Sequence, residues 1–395
     1  MNTAHSSPTA QRLLSVESLS KGFEAGLERF GSAPEGDLVA AGLPLLSHSL
    51  RFEAGIDRMG AYLSRRDIRR CIRNRIAIRT ALAEGAPAHP VRGALFIAGL
   101  PRSGSTLLQR LLAVDPQNRS MRLKEGFYPL ANAGIAKWRR EVRTRIELGV
   151  VKRRSPSVQA AHALGADWPE ECLLLLKHTM AAVPFSSFYN VPTYTEWLEA
   201  ADLGPSYEYL HDAYSYLQGA NTSPRWIMKS PVHIFAIKPI LDAFPDSVIV
   251  QTHRDPVVAV TSMCSLITAL RGIMSRDLNR AELGPYVAPR LRMGVDRLLA
   301  DRAAADPARF YDLPYESLVK DPIGAVKNLY DFTGQSLEAA TERAMSAWLN
   351  RNHQHKFGVH RYTLEEFGLN RETEAERFAG YSERFAGLFQ PAAAP

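Results

Sequence analysis

Cysteine is scarce in this chain, and the three present, Cys71, Cys172 and Cys264, lie far apart with no CxxC pair. Such spacing supplies neither a zinc site nor a disulfide framework, and it points to a reducing, cytoplasmic compartment. Long apolar runs are missing as well, since no uninterrupted hydrophobic stretch approaches the roughly 20 residues of a membrane span. The opening residues, Met1-Asn-Thr-Ala-His-Ser-Ser-Pro8, lack the basic-then-apolar layout of a signal peptide. Internal repeats are absent, and the one low-complexity tract is the terminal Pro391-Ala-Ala-Ala-Pro395. What remains is a globular composition, 46% hydrophobic and 23% charged, in 395 residues. That length could hold two domains or one large α/β unit. A formal net charge of +7 fits an anionic ligand, nucleic acid or a membrane surface, without choosing among them.

The most informative absence is a single lysine. Residues 94–106 run from an apolar strand pattern (Ala94 to Ala98) through a Gly/Pro/Ser turn into Thr106-Leu-Leu-Gln-Arg-Leu-Leu-Ala113, a helical pattern. Strand, small-residue loop and helix is the layout that points backbone N–H groups at an anion. Gly99-x-x-x-x-Gly104-Ser105-Thr106 follows the nucleotide P-loop spacing, except that Ser105 stands where the lysine belongs. The only cation in the loop is Arg102. A nucleoside-triphosphate-cleaving loop needs that lysine, and a carboxylate for Mg²⁺ at a second strand end. Here the second strand, Ser247-Val-Ile-Val-Gln-Thr252, runs into His253-Arg254 before the first carboxylate, Asp255. The site reads as one for an anionic nucleotide held by protein cations, with no metal required.

Around that loop the chain divides. Residues 1–90 carry helical patterns and no strand signal, forming a helical N-terminal extension. Ile68, Ile72 and Ile76 make its apolar stripe, while Arg65, Arg66, Arg69, Arg70 and Arg73 fall on other faces. These arginines read as a solvated basic side, and nucleic acid is not an expected partner because no aromatics interleave with them. Residues 91–395 read as one α/β domain, with strands at Ala94–Ala98, Arg225–Met228, Ser247–Thr252 and Arg309–Asp312. Strands alternating with helices imply a buried parallel sheet with ligands at its carboxyl ends. The expected architecture is α/β, a P-loop-type three-layer fold whose central parallel sheet is flanked by helices. A helical, aromatic-rich insertion occupies about 114–224, and 336–395 form a C-terminal segment. Insertions this long carry substrate contacts or a lid.

Pro101-Arg102-Ser103-Gly104-Ser105-Thr106-Leu107-Leu108 resembles the 5′-phosphosulfate-binding loop of sulfotransferases that use 3′-phosphoadenosine 5′-phosphosulfate (PAPS). The arginine form is that of tyrosylprotein sulfotransferases and a broad bacterial group. A second family signature, a strand-terminal Arg with a Ser eight residues on, is matched by Arg254 and Ser262. Trp226-Ile-Met-Lys229-Ser-Pro-Val-His233, Pro314-Tyr315-Glu-Ser-Leu-Val-Lys-Asp-Pro322 and the segment from Lys356 to Gly368 are similar to family blocks too. The resemblance implies a 5′-phosphosulfate cradled by Ser103, Gly104, Ser105 and Thr106, with Arg102 and Lys229 on the bridging oxygen. It also implies a 3′-phosphate held by Arg254 and Ser262, with Tyr315 beside the adenine and Lys356 (Arg361 behind it) as a further cation.

The same resemblance offers Glu125 as catalytic base, with His178 and His233 as alternatives, while His253 reads as a packed residue fixing the loop. The function it implies is sulfuryl transfer from PAPS to a hydroxyl or amine on a small-molecule acceptor. The competing readings are a P-loop nucleotide kinase or NTPase, and a non-catalytic nucleotide or polyanion binder. Neither the acceptor (phenol, lipid, sugar or peptide) nor the oligomeric state is legible.

Overall fold

The computed structural model describes residues 6–130, 134–222, 224–275, 278–352 and 362–389. The apolar runs bounded by Gly or Pro become strands: β1 (Leu95–Gly99), β3 (Arg225–Lys229), β4 (Val248–His253) and β5 (Phe310–Pro314), joined by a two-residue β2 (Asn118–Arg119). The order is β2-β3-β1-β4-β5 and every pairing is parallel. After β1 the chain leaves for one edge of the sheet, and β4 lies on the other side of β1. The carboxyl end of β1 is therefore a topological switch point, where adjoining loops part and leave a crevice.

Strand alternation sends residues to two separate cores. Leu95, Ile97, Ile227, Val250 and Leu313 pack under the helices Ser105–Leu112, Pro322–Phe332 and Ala339–Arg351, which contribute Leu108, Leu329 and Met345. Phe96, Ala98, Trp226, Met228 and Ile249 face the other way, onto the helices Gly204–Gln218, Ile237–Ala243, Pro256–Arg271 and Leu283–Ala304. Both faces are covered, which makes the expected three layers.

The extension folds as helices, the longest being Gly36–Phe52 and Arg58–Ala83. Ile68 and Ile72 are buried in the same core as Leu175, Phe185 and Tyr194 of the insertion. Of the expected solvated basic side, Arg66 and Arg73 are exposed, while the other three are drawn into contacts. Arg65 and Arg69 donate to the carbonyl oxygens of Ser18, Leu19 and Lys21, at the end of the helix Val16–Ser20. Arg70 pairs with Asp67 and Glu147 and lies 3.9 Å over the Phe127 ring. Arg66 reaches Glu147 at 2.5 Å, from the helix Gly134–Arg154. Guanidinium groups present five donors in a planar fork, so they serve carbonyl ends and carboxylates that belong to distant stretches of chain.

One buried ion group ties the extension to the sheet's covering helices. Glu35 is fully buried and meets Arg75 at 2.8 Å and Arg79 at 2.5 Å, and Arg79 continues to Asp212 at 2.6 Å. Removing the carboxylate leaves the Arg75 charge buried and unpaired. Glu35→Ala should lower unfolding free energy by about 3–5 kcal/mol in urea titrations. Asp246→Asn, at the exposed pair with Arg92 (3.9 Å), should change it by less than about 0.5 kcal/mol. Similar losses in the two variants would deny the buried group its role.

Candidate active site

The site begins where β1 ends. Gly99 sits at φ 142°, and a Cβ there would lie 2.4 Å from the Thr252 carbonyl oxygen, so only glycine lets β1 and β4 close up at this point. The loop then turns through Arg102 at φ 66°, in the left-handed region. A non-glycine residue enters that region at a cost of about 1–3 kcal/mol, and the surrounding structure must hold it there. Arg254 Nη1 does so by donating to the Arg102 carbonyl oxygen at 2.7 Å. Ser103 braces the loop from beneath, its Oγ donating to the Leu100 carbonyl at 2.6 Å and lying 2.5 Å from Thr252 Oγ1. Thr252 Oγ1 also reaches the Ala98 carbonyl at 3.3 Å, so the two hydroxyls tie the loop to both strands. The Ser103 side chain is therefore a buried strut, and its backbone is what it offers outward.

Gly104, at φ 83°, starts the helix Ser105–Leu112, and a Cβ on it would come within 2.8 Å of Leu318 and 3.2 Å of the Tyr315 ring. The first intrahelical bond returns from the Leu108 N–H to the Gly104 carbonyl. The N–H groups of Ser105, Thr106 and Leu107 thus have no partner inside the helix, the arrangement that binds anions at helix starts.

β4 and β5 supply the second wall. Arg254, next after β4, holds its guanidinium 4.1 Å from the centroid of the Tyr315 ring, which follows β5. Arg102, Gly104, Arg254 and Tyr315 are thereby joined by contacts at these strand ends. Ser262 is buried about two turns into the helix Pro256–Arg271. His253 packs behind, with Nε2 2.8 Å from Asp312 and Nδ1 2.9 Å from the Tyr381 hydroxyl. Arg302 grips the same Asp312 with two bonds of 2.6 Å. Burial would raise the Asp312 carboxyl, but His253 and Arg302 hold it well below the usual carboxylate range.

The third wall contains residues that the sequence patterns did not single out. Lys229 ends β3 only 2% exposed, and its Nζ lies 2.5 Å from Oε1 of the equally sunken Glu171. Ser230 Oγ donates to the other Glu171 oxygen at 3.2 Å, and the Cys172 N–H donates to the Lys229 carbonyl at 3.1 Å. The preceding Glu170 accepts from the Glu171 N–H at 3.0 Å and meets His162 Nε2 at 3.1 Å. Burial pushes the Glu170 carboxyl up, and His162 and Lys229 outweigh it and pull it below its ordinary value. The loop helix itself carries this segment: Gln109 Nε2 donates to the Glu170 carbonyl at 3.1 Å, and Arg110 donates to the Ala163 carbonyl at 2.7 Å. Ligand atoms of His162, Glu170 and Glu171 lie within 4.8 Å of one another. The Lys229 ammonium already stands on Glu171 as the cation there.

The three base candidates have partners of their own. Glu125 lies in the helix Leu123–Phe127, where its carboxylate accepts from the Arg122 N–H at 2.8 Å and meets Arg119 at 3.5 Å. Arg119 pairs with Trp226 in the sheet and lies 4.4 Å over its ring. The two ends of that helix, Leu123 and Phe127, line the same cavity as Glu170 and Glu171. His178 Nδ1 bonds the Tyr209 hydroxyl and His233 Nδ1 the Tyr207 hydroxyl, each at 2.9 Å and each in the core. Lys356 and Arg361 lie outside the described residues.

Comparison with known proteins is consistent in kind. Residues 94–339 match the sulfotransferase family. Over 257 residues the chain is 28% identical to the omega-hydroxy-beta-dihydromenaquinone-9 sulfotransferases Stf3 of Mycobacterium bovis and Mycobacterium tuberculosis, covering 61% of this chain. The match spans 62% of those relatives' own length. Among solved structures, sulfotransferase STF1 of M. tuberculosis H37Rv superposes with a TM-score of 0.77 at 27% identity, over 96% of this chain and 100% of that one. STF9 of Mycobacterium avium gives 0.78 at 25% identity, over 94% and 97%.

Burial drives both His178 and His233 down from 6.5 to about 3. The unfolded chain therefore binds their protons first, and the stability they contribute is complete above pH 6.5 and drains away as pH falls toward 3. Each should remove about 1.4 kcal/mol per pH unit below 6.5. The urea midpoint should fall between pH 7 and pH 5, and fall less steeply in His178→Gln and His233→Gln. A pH-flat midpoint in the unaltered protein would mean that these rings are accessible.

Proposed function

The chain belongs to the sulfotransferase family, and from that premise we propose that it moves a sulfuryl group from PAPS to a hydroxyl or amine of a small-molecule acceptor. The N–H groups from Ser103 to Thr106, with the Ser105 and Thr106 hydroxyls, cradle the 5′-phosphosulfate at the helix start. Arg254 takes the 3′-phosphate in its planar fork, assisted by Ser262 and Lys356, and Tyr315 lies beside the adenine. Arg102 and Lys229 meet the charge that grows on the phosphate–sulfate bridging oxygen as the sulfur passes in line to the acceptor. Stabilising charge that develops in the transition state is where such a site gains most. For the acceptor's proton, the resemblance offers Glu125 and the geometry offers Glu171, the carboxylate that touches Lys229.

One observation carries this reading: the Arg254 guanidinium is bonded to the loop at Arg102 and stacked on Tyr315. That junction brings the ends of β1, β4 and β5 together with cations and no loop lysine. The same strand end argues against a triphosphate-cleaving site. Asp255, its first carboxylate, accepts from the Val257 N–H at 2.8 Å and faces Arg371 at 3.9 Å. It caps its own helix rather than reaching outward to a metal, and the transfer as proposed needs none.

The cytoplasm is the proposed compartment, supported by three buried cysteines that form no disulfide. Among the described residues no helix is long and apolar enough to cross a membrane.

Thermal stabilisation by 3′,5′-ADP should exceed that by ATP with Mg²⁺, and the reverse order would overturn the reading. Arg254→Ala should raise KM for PAPS about 10- to 100-fold with little change for the acceptor, the loss of a charge-assisted hydrogen bond. Equal effects on both substrates would remove Arg254 from the 3′-phosphate. Arg102→Ala should lower kcat by about 100-fold or more while sparing nucleotide affinity. A collapse of binding with kcat intact would make Arg102 an anchor.

A further inference from the structure

A cavity of about 190 Å³ lies behind the Lys229–Glu171 pair, between the helices Arg58–Ala83, Gly134–Arg154 and Pro256–Arg271. Its wall is mostly aliphatic and aromatic, with Leu63, Leu148, Val151, Leu174, Phe188 and Leu270 among the side chains that form it. Charged groups reach the wall in two places. At one, Asp67 is shared by Arg70 and Lys177, and Glu147 by Arg66, Arg70 and the Tyr128 hydroxyl. Both carboxylates there are already held by cations. At the other stand His162, Glu170 and Glu171. Glu171 alone of the wall carboxylates continues to Lys229, whose strand neighbour in β1, Ile97, is two residues before the loop. The apolar space and the anion loop thus meet at a single carboxylate.

An apolar cavity with one convergent polar end fits a ligand with an apolar body and one polar terminus. Burying a sugar or a charged peptide here would leave its polar groups without partners. We propose that this cavity is the acceptor site, that it takes an alcohol with an extended apolar chain, and that Glu171 is the base that accepts the hydroxyl proton. The assignment rests on the sulfuryl-transfer reading above. In the step, the acceptor O–H bond breaks and its proton goes to the Glu171 carboxylate. The acceptor oxygen forms the new bond to sulfur. The bond from sulfur to the bridging oxygen breaks, and its electron pair leaves with 3′,5′-ADP. Protonation neutralises Glu171, so the Lys229 ammonium loses its partner as charge appears on the bridging oxygen. One proton transfer thereby makes the cation available where the leaving group needs it.

The test uses the full chain with PAPS and a series of linear primary alcohols from ethanol to dodecanol, with phenol and glucose beside them. Each methylene that enters the cavity should raise kcat/KM about four-fold until the cavity is full, from about 0.8 kcal/mol per buried CH₂. Leu148→Trp, which fills the cavity, should abolish the preference for long chains. Rates that ignore chain length, or that favour phenol or glucose, would overturn the acceptor assignment.

Glu171→Gln should lower kcat by at least about 100-fold and remove the acid limb of the pH–rate profile. Its affinity for 3′,5′-ADP by calorimetry should stay within about three-fold of the unaltered protein, which shows that the variant is folded. A variant that binds 3′,5′-ADP and keeps a kcat within about ten-fold, or keeps the acid limb, would exclude Glu171 as the base. Failure of the unaltered protein to bind 3′,5′-ADP at all would instead strike the sulfotransferase reading, and this proposal with it. Binding without sulfation of any alcohol would strike the proposal alone.

Discussion

A lysine and a glutamate taken out of water together, 2.5 Å apart at the end of β3, persist only if the structure around them replaces what water supplied. Desolvating each ion costs several kcal/mol, and mutual attraction repays it only with good geometry and further hydrogen bonds. Here Ser230 holds the second Glu171 oxygen, and the Cys172 N–H ties the glutamate's segment to the Lys229 carbonyl. The pair would be an extravagant way to stabilise a sheet edge, since apolar residues of similar volume do that as well. Its place between the anion loop and the apolar cavity gives it a chemical reason to exist. In the proposed reaction, the position of the acceptor, the charge on the leaving group and the removal of a proton all depend on this one contact.

The rest of the chain can be understood as what keeps the pair in place. The parallel sheet sets Lys229 beside β1, and the loop helix grips the insertion through Gln109 and Arg110. The extension closes the far side of the cavity through the helix Arg58–Ala83, whose Asp67 and Arg70 lock onto Lys177 and Glu147. Glu35 then fastens that helix to Asp212 on the sheet's cover through Arg75 and Arg79. In the proposed reaction such an enclosure would keep water from competing with the acceptor for the transferred group.

Much of this is legible in the sequence. The apolar runs before Gly99, Lys229, Arg254 and Tyr315 are strands because each is short, nearly continuous and ended by Gly or Pro. The residues after them carry chemistry because ligands gather at the carboxyl ends of parallel strands. β2 escaped notice since two residues leave no period to read. Of the arginines expected to be solvated, Arg66 and Arg73 are exposed, whereas Arg65, Arg69 and Arg70 turn to Ser18, Glu147 and Phe127, about 50 to 80 residues away, which no local pattern shows. In the sequence, nothing sets Glu170 and Glu171 apart from other acidic residues. Only tertiary contact with Lys229 and His162 distinguishes them, although a Pro-Glu-Glu doublet inside an aromatic insertion was the available signal. Glu125 matched a family interval, yet spacing along the chain does not fix which way a side chain points, and its carboxylate turns to Arg119 and its own helix start.

The central claim is that the loop at 99–106, Arg254 and the Lys229–Glu171 pair form one site for a phosphosulfate nucleotide and an apolar alcohol. A crystal structure with 3′,5′-ADP and dodecanol bound together tests it most directly. The account predicts the 5′-phosphate on the N–H groups of Ser103 to Thr106 and the 3′-phosphate on Arg254. It predicts the alcohol chain in the cavity beside Leu148, with its hydroxyl on Glu171. A nucleotide seated away from the loop, or an alcohol hydroxyl on Glu125, would contradict it.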